Sequence, residues 1–237
     1  MGDAVFELAE FELHHSRPIA PTRRLALGLQ YLPCNPPPGP GGILLAGIVA
    51  RYVDFLSDDD LADLEVLMHD IAAGRRIVQP RLRHRLQTDR VGLLKSVHHL
   101  RSDGEGPEFA FAPDLGSPLV NALGAVYAAG NVPAEFRTDV MSTLRRALRW
   151  QGPLGAGFIA HLTGGNERAG WLLANSDPIA WALEVLGFDA EEDPSKREIR
   201  KRFRDQLRHA HPDHGAEEAG AADRIADLAE ARRILLG

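Results

Sequence analysis

The residues of strongest chemical character lie late in the chain, in Glu198-Ile-Arg-Lys-Arg-Phe-Arg-Asp-Gln-Leu-Arg-His-Ala-His-Pro-Asp213. Ile199, Phe203 and Leu207 recur every four residues and make one apolar stripe of a helix. Lys196, Arg197, Arg200, Lys201, Arg202, Arg204 and Arg208 surround it, opposed nearby only by Glu198 and Asp205. The stretch reads as a cationic helix that ends in an exposed His211-Pro212-Asp213 turn. Elsewhere, chemistry-bearing residues lack the company that chemistry requires. His98-His99 is a tempting metal pair, but on a helix adjacent residues do not share a face, and no ligand cluster joins them in sequence. Ser57-Asp-Asp-Asp60 lacks the spacing of a calcium loop and suits a helix start. Gly164-Gly165-Asn166 lacks the Gly-Lys-Ser/Thr ending of a phosphate loop. Cys34 has no partner motif around it. No metal, cofactor or catalytic residue is expected.

The cationic stretch needs elements to hold it. Ser195 and Glu198 form a capping box behind Pro194 and mark the helix start. Pro212 disfavours helical backbone at His211 and ends the hydrogen-bond ladder. Upstream, Asp177-Pro178 offers an N-cap and a first-turn proline for a short helix from Ile179 to Leu186, and Gly187 offers its stop. Residues 214–222 are small and polar, as in a loop. From Asp223 to Leu236, Ile225, Leu228, Ala231 or Arg232, and Leu235 lie on one side of a further helix. Helices this short need partners for their apolar faces. The expected unit is a helical hairpin with a third helix bracing it.

These residues together resemble the J domain, the module that defines the DnaJ family of co-chaperones. The resemblance rests on Leu183-Glu184-Val185-Leu186-Gly187, on Glu198-Ile199-Arg200-Lys201 with Phe203-Arg204, on His211-Pro212-Asp213, and on Ile225, Leu228, Ala231 and Leu235. It covers about the last quarter of the 237 residues. The resemblance implies a protein that docks the basic face of its second helix on an acidic surface of a DnaK-type ATPase chaperone. Arg200, Lys201, Arg204 and Arg208 become the docking residues, and His211, Pro212 and Asp213 the trigger of hydrolysis in the partner. Phosphoryl transfer then belongs to the partner, so His211 is neither a general base nor a metal ligand, and this chain is not an enzyme. Complementary charge speeds encounter and sets orientation more than it adds affinity, so the contact should be transient and salt-sensitive.

The chain departs from the family pattern at several places. Asp205 replaces a basic residue, Gln206 a core leucine, Leu183 an aromatic and Arg202 an alanine. Two extra residues stand between Gly187 and Ile199. These departures keep a second reading open, a structural or adaptor protein whose degenerate J-like unit serves only protein–protein assembly.

Net charge is −6 with a pI near 5.9, which sets aside bulk nucleic-acid binding. A composition 44% hydrophobic and 25% charged allows a core without metal or disulfide. A single cysteine suits a reducing compartment, and no secretory signal or membrane span is read, so a cytoplasmic protein is expected. Residues 3–13, with Phe6, Leu8, Phe11 and Leu13, read equally as strand or helix. Pro33 to Gly42 reads as a connector. Helices are expected from Ser57 to Ala73, Pro80 to Leu100, Pro118 to Ala129 and Pro133 to Trp150, with a short strand at Glu108-Phe-Ala-Phe111. Arg75, Arg76, Arg81, Arg83, His84 and Arg85 form a second basic patch, read as a solvated face. The expected fold class is mainly α. A helical domain over residues 1–170, of no recognised family, would choose client or place, and the J domain would occupy 171–237.

Overall fold

The alternation that begins at Phe6 is a strand. In the computed structural model, β1 (Phe6–His15) directs Phe11, Leu13 and His15 inward, while Glu10 and His14 stay on the more open side. It is the central strand of a five-stranded sheet with β2 (Arg23–Tyr31), β3 (His84–Leu86), β4 (Leu94–Ser102) and β5 (Pro107–Ala110), ordered β3-β2-β1-β4-β5. Every pairing is antiparallel except β2 with β3. The described residues are 5–17, 23–102, 106–112, 116–163, 178–189, 192–210, 225, 228, 229, 231, 232 and 234–236. They fall in two compact units, Met1–Ala174 and Asn175–Gly237.

The sheet overturns the expectation of a mainly α chain. The helix expected from Pro80 to Leu100 does not form; that stretch supplies β3 and β4 instead. Its inward residues are Ser96, His98, Leu100 and Ser102, which alternate with a period of two. Only one of the four is aliphatic, so the alternation is hidden from a reading of apolar residues alone. Nor do the described residues of the C-terminal unit define a three-helix J domain. They give two helices, with scattered helical positions between 225 and 236.

Helices cover one face of the sheet. α1 (Gly39–Tyr52) begins inside the Pro/Gly stretch expected as a connector, because Gly39 takes a left-handed φ of +57° and Gly41 N–H donates to the Pro33 carbonyl at 2.7 Å. A Cβ on Gly39 would meet that carbonyl oxygen at 2.4 Å, so no other residue fits there without backbone movement. α1 is buried on almost all sides and packs on β1, β4, α3 and α4. α2 (Asp58–Ala72) starts as its sequence expects, with the Ser57 hydroxyl accepting from Asp60 N–H at 3.2 Å. α3 (Pro118–Asn131), α4 (Ala134–Ala147) and α5 (Ala156–Thr163) complete the layer. Gly47 on α1 lets the helix approach the sheet, since Phe109 of β5 occupies the space a Cβ would need.

Three histidines are enclosed in this core. His98 is fully buried among Phe11, Tyr52 and Phe111. Its Nε2 donates to Asn121 Oδ1 at 3.1 Å and its Nδ1 accepts from Ala112 N–H at 3.3 Å, which is consistent with one neutral tautomer. His15 pairs with the Ser96 hydroxyl at 3.0 Å, and His84 Nδ1 donates to the Leu82 carbonyl at 2.6 Å. Burial pushes the His15 imidazole below its usual range, offset in part by the Ser16 backbone. His84 is also pushed down by burial, against the Leu82 carbonyl and Asp60 and with the help of Arg23 and His15.

Because both pKa values lie below the ordinary 6.5, the unfolded chain binds more protons than the folded one as pH drops through that value. Stability of the N-terminal unit is therefore complete above pH ~6.5 and should be lost on acidification at up to about 1.4 kcal/mol per pH unit for each histidine. The Glu12 carboxyl, held below its usual value of 4.5, loses its contribution only at lower pH. Urea midpoints at pH 7.5, 6.5 and 5.5 should fall progressively. A flat profile would mean that neither ring is enclosed as described.

Candidate functional site

In the C-terminal unit, α6 (Pro178–Leu186) buries Ala182, Leu183 and Leu186 and stops at Gly187, whose φ is +77°. Phe188 N–H returns to the Leu183 carbonyl at 2.8 Å and Gly187 N–H to the Glu184 carbonyl at 2.9 Å, closing the helix end. α7 (Lys196–Ala210) follows. Its capping box forms in full. Ser195 N–H donates to Glu198 Oε2 at 2.9 Å, and Glu198 N–H donates back to the Ser195 hydroxyl at 3.4 Å. The Ser195 hydroxyl and backbone both hold the Glu198 carboxyl below its usual range.

Ile199 of α7 is buried, and Phe203 and Leu207 are half-buried, so the apolar stripe faces inward as its spacing demands. Arg200, Lys201, Arg204 and Arg208 are all exposed. Positions 200, 204 and 208 follow one another at four-residue steps, with 201 beside them, so the structure gathers the four docking candidates on one face. Arg208 is not wholly available to a partner, because its Nη2 lies 3.3 Å from Asp205 Oδ1. Both side chains are well exposed, and such a pair contributes little to stability. His211, Pro212 and Asp213 lie outside the described residues.

Arg202, Phe203 and Gln206 have defined neighbours in this unit. Arg202 lies over the Phe188 ring at 5.1 Å, and Arg232 over Phe203 at 4.9 Å. Gln206 packs beside Gly187, where a Cβ would sit 3.2 Å from its Nε2.

The second basic patch is dismantled. Arg75 and Arg81 share Asp70, at 2.9 and 3.1 Å, and His84 is buried. Arg76, Arg83 and Arg85 remain exposed, with Arg83 in a left-handed turn at φ 61°. Cys34 is enclosed, and burial raises its thiol to about 11, which makes it a poor nucleophile.

Two groupings in the N-terminal unit were not foreseen. Ser96 with His15 has the composition of a nucleophile and base, but the residues are 2% and 0% exposed, and a substrate cannot reach them. The open face of the sheet carries Glu7, Glu10 and His99, whose ligating atoms lie within 4.8 Å of one another. His98 and His99 belong to a strand, so they point to opposite faces and only His99 joins this group. Nearby on the same face, Lys95 at 2.6 Å holds Glu12 below the usual carboxylate range against the burial that pushes it up, with His14 assisting.

No helix among the described residues is long and apolar enough to cross a membrane. Comparison with protein-family models, with curated proteins and with solved structures finds no match for this chain.

Proposed function

We propose that the chain is a cytoplasmic co-chaperone of the J-domain class that stimulates ATP hydrolysis in a DnaK-type chaperone, while its N-terminal unit selects a client or a place. The observation that carries this reading is the exposed cationic face of Arg200, Lys201, Arg204 and Arg208 on α7, in a chain whose sequence continues directly into His211-Pro212-Asp213. Such a face favours encounter with an acidic surface, and its charges cost little to desolvate at a transient, wet contact. The trigger acts by engaging the partner, and this chain supplies no group to the phosphoryl transfer itself.

The test is single-turnover ATP hydrolysis by a DnaK-type chaperone with and without the full chain. Wild-type protein should accelerate the turnover, and His211→Gln should remove the acceleration while leaving the thermal melt of the chain in place. Stimulation that survives the substitution would refute the assignment of the trigger. Absence of any stimulation at low salt would refute the co-chaperone reading as a whole.

A further inference from the structure

The geometry points to a binding site for a first-row transition-metal dication at Glu7, Glu10 and His99, on the open face of the N-terminal sheet. Two features of the backbone assemble it. β1 and β4 pair so that Glu10 lies opposite His99, and Glu7 opposite Arg101. Residues three apart on a regular strand point to opposite faces. The register shift between Glu7 and Ala9 inserts an extra residue, which turns Glu7 onto the face that Glu10 already occupies. Without that bulge one carboxylate would point away from the group.

The distances suit a cation after a small adjustment. His99 Nδ1 lies 3.1 Å from Glu7 Oε2 and 4.0 Å from Glu10 Oε2. Metal–ligand bonds of about 2.0–2.2 Å place neighbouring donors roughly 3–3.5 Å apart. One donor pair already meets this spacing, and rotation of the Glu10 side chain closes the rest. The three side chains are 33%, 26% and 19% exposed for Glu7, Glu10 and His99, so they have room to turn, and the remaining coordination positions open to solvent. The β5 neighbour of His99 is Ala110, which does not crowd the ring.

Charge favours the same occupant. Glu7, Glu10 and Glu108 share this end of the face with Arg101, which lies opposite both Glu7 and Glu108 in the strand register. Arg101 Nε donates to the same Glu7 Oε2 at 3.1 Å, an outer-shell hydrogen bond that orients the carboxylate and that a metal-bound oxygen can keep on its second lone pair. One imidazole and two carboxylates form a set suited to Zn2+ or Mn2+ more than to Mg2+ or Ca2+, which prefer oxygen alone. On binding, Nδ1 gives up the hydrogen it directs at Glu7, either to Nε2 or to solvent. Affinity should accordingly fall on acidification.

The test uses the full chain, freed of metal by a chelator. Calorimetric titration with ZnCl2 should show a saturable event that Glu10→Gln and His99→Gln each weaken at least as much as loss of an outer-shell partner does, roughly 10–100-fold. Because the chain holds ten histidines, the site needs a local readout as well. Mn2+ added at substoichiometric levels should broaden the backbone amide signals of residues 6–10 and 98–102 first, and should not do so in His99→Gln. Zn2+ binding unchanged by both substitutions, or broadening centred elsewhere, would overturn the proposal and leave the three residues as a surface ion-pair network. Metal-free melts of the two variants separate loss of a ligand from loss of fold.

Discussion

Phe11→Ala should cost the N-terminal unit about 3–5 kcal/mol, the usual range for an aromatic removed from a closed core. Phe11 is wholly buried on the central strand, pairs in register with Gln30 of β2 and His98 of β4, and stacks on the His98 ring at 6.3 Å. Truncation deletes that surface and opens a void beside a buried imidazole whose two nitrogens are already committed. Domains are stable by only about 5–15 kcal/mol, so the loss takes a large share of the total. Leu29→Ala is the matching control. Leu29 also sits on a strand, yet it is 58% exposed, and its loss should stay within about 0.5 kcal/mol. Urea denaturation of both variants reads the difference. Equal small effects would mean that the helical layer does not close over Phe11, and the sheet architecture would fail with it.

What could be read from the sequence divides along a physical line. Elements marked by local chemistry were legible. Ser57 ahead of three aspartates, Pro118 at a first helical turn and the Ser195–Glu198 box each act over one turn and needed no tertiary knowledge. Of the sheet, only the short edge strand at Glu108–Phe111 was legible, as β5, and residues 3–13 read equally as strand or helix. The rest was not legible, because its signal is spread over distant partners. β1 carries a period of two that its own bulge interrupts, and β4 fills its inward positions with Ser96, His98 and Ser102, of which Ser96 and His98 find side-chain partners only after the fold closes. A residue buried by pairing looks like a surface residue until its partner is known.

The same division explains the candidate sites. The cationic face needed only a four-residue step within one helix, so it could be seen directly. The Glu7, Glu10 and His99 group joins residues some ninety positions apart and depends on register and on a bulge, neither of which local pattern reveals. Treating His98 and His99 as helical neighbours hid it further, since strand geometry is what separates the two rings. A pair of histidines in a stretch of alternating polar and apolar residues was the one available signal.

Reversing two charges, Arg200→Glu with Arg204→Glu, should reduce stimulation of the chaperone ATPase by roughly tenfold or more at low salt, in keeping with the span that electrostatic steering covers. Both side chains are exposed and take no part in a described ion pair, so the helix and its capping box should survive the change. Wild-type stimulation should decline as ionic strength rises, because the Debye length shrinks from ~10 Å at 0.1 M toward ~3 Å at 1 M, whereas the reversed variant should have little left to lose. Asp205 provides the opposite arm. It neutralises Arg208 across 3.3 Å, so Asp205→Asn should free that guanidinium and raise stimulation at low salt, with the gain fading at high salt. Loss on one substitution and gain on the other, both erased by salt, would follow only from docking through this face. If the reversal leaves stimulation intact, α7 is a solvated helix and the partner must be engaged by other residues. The adaptor reading would then gain ground, because a surface used for assembly need not respond to the charges that steer a transient ATPase partner.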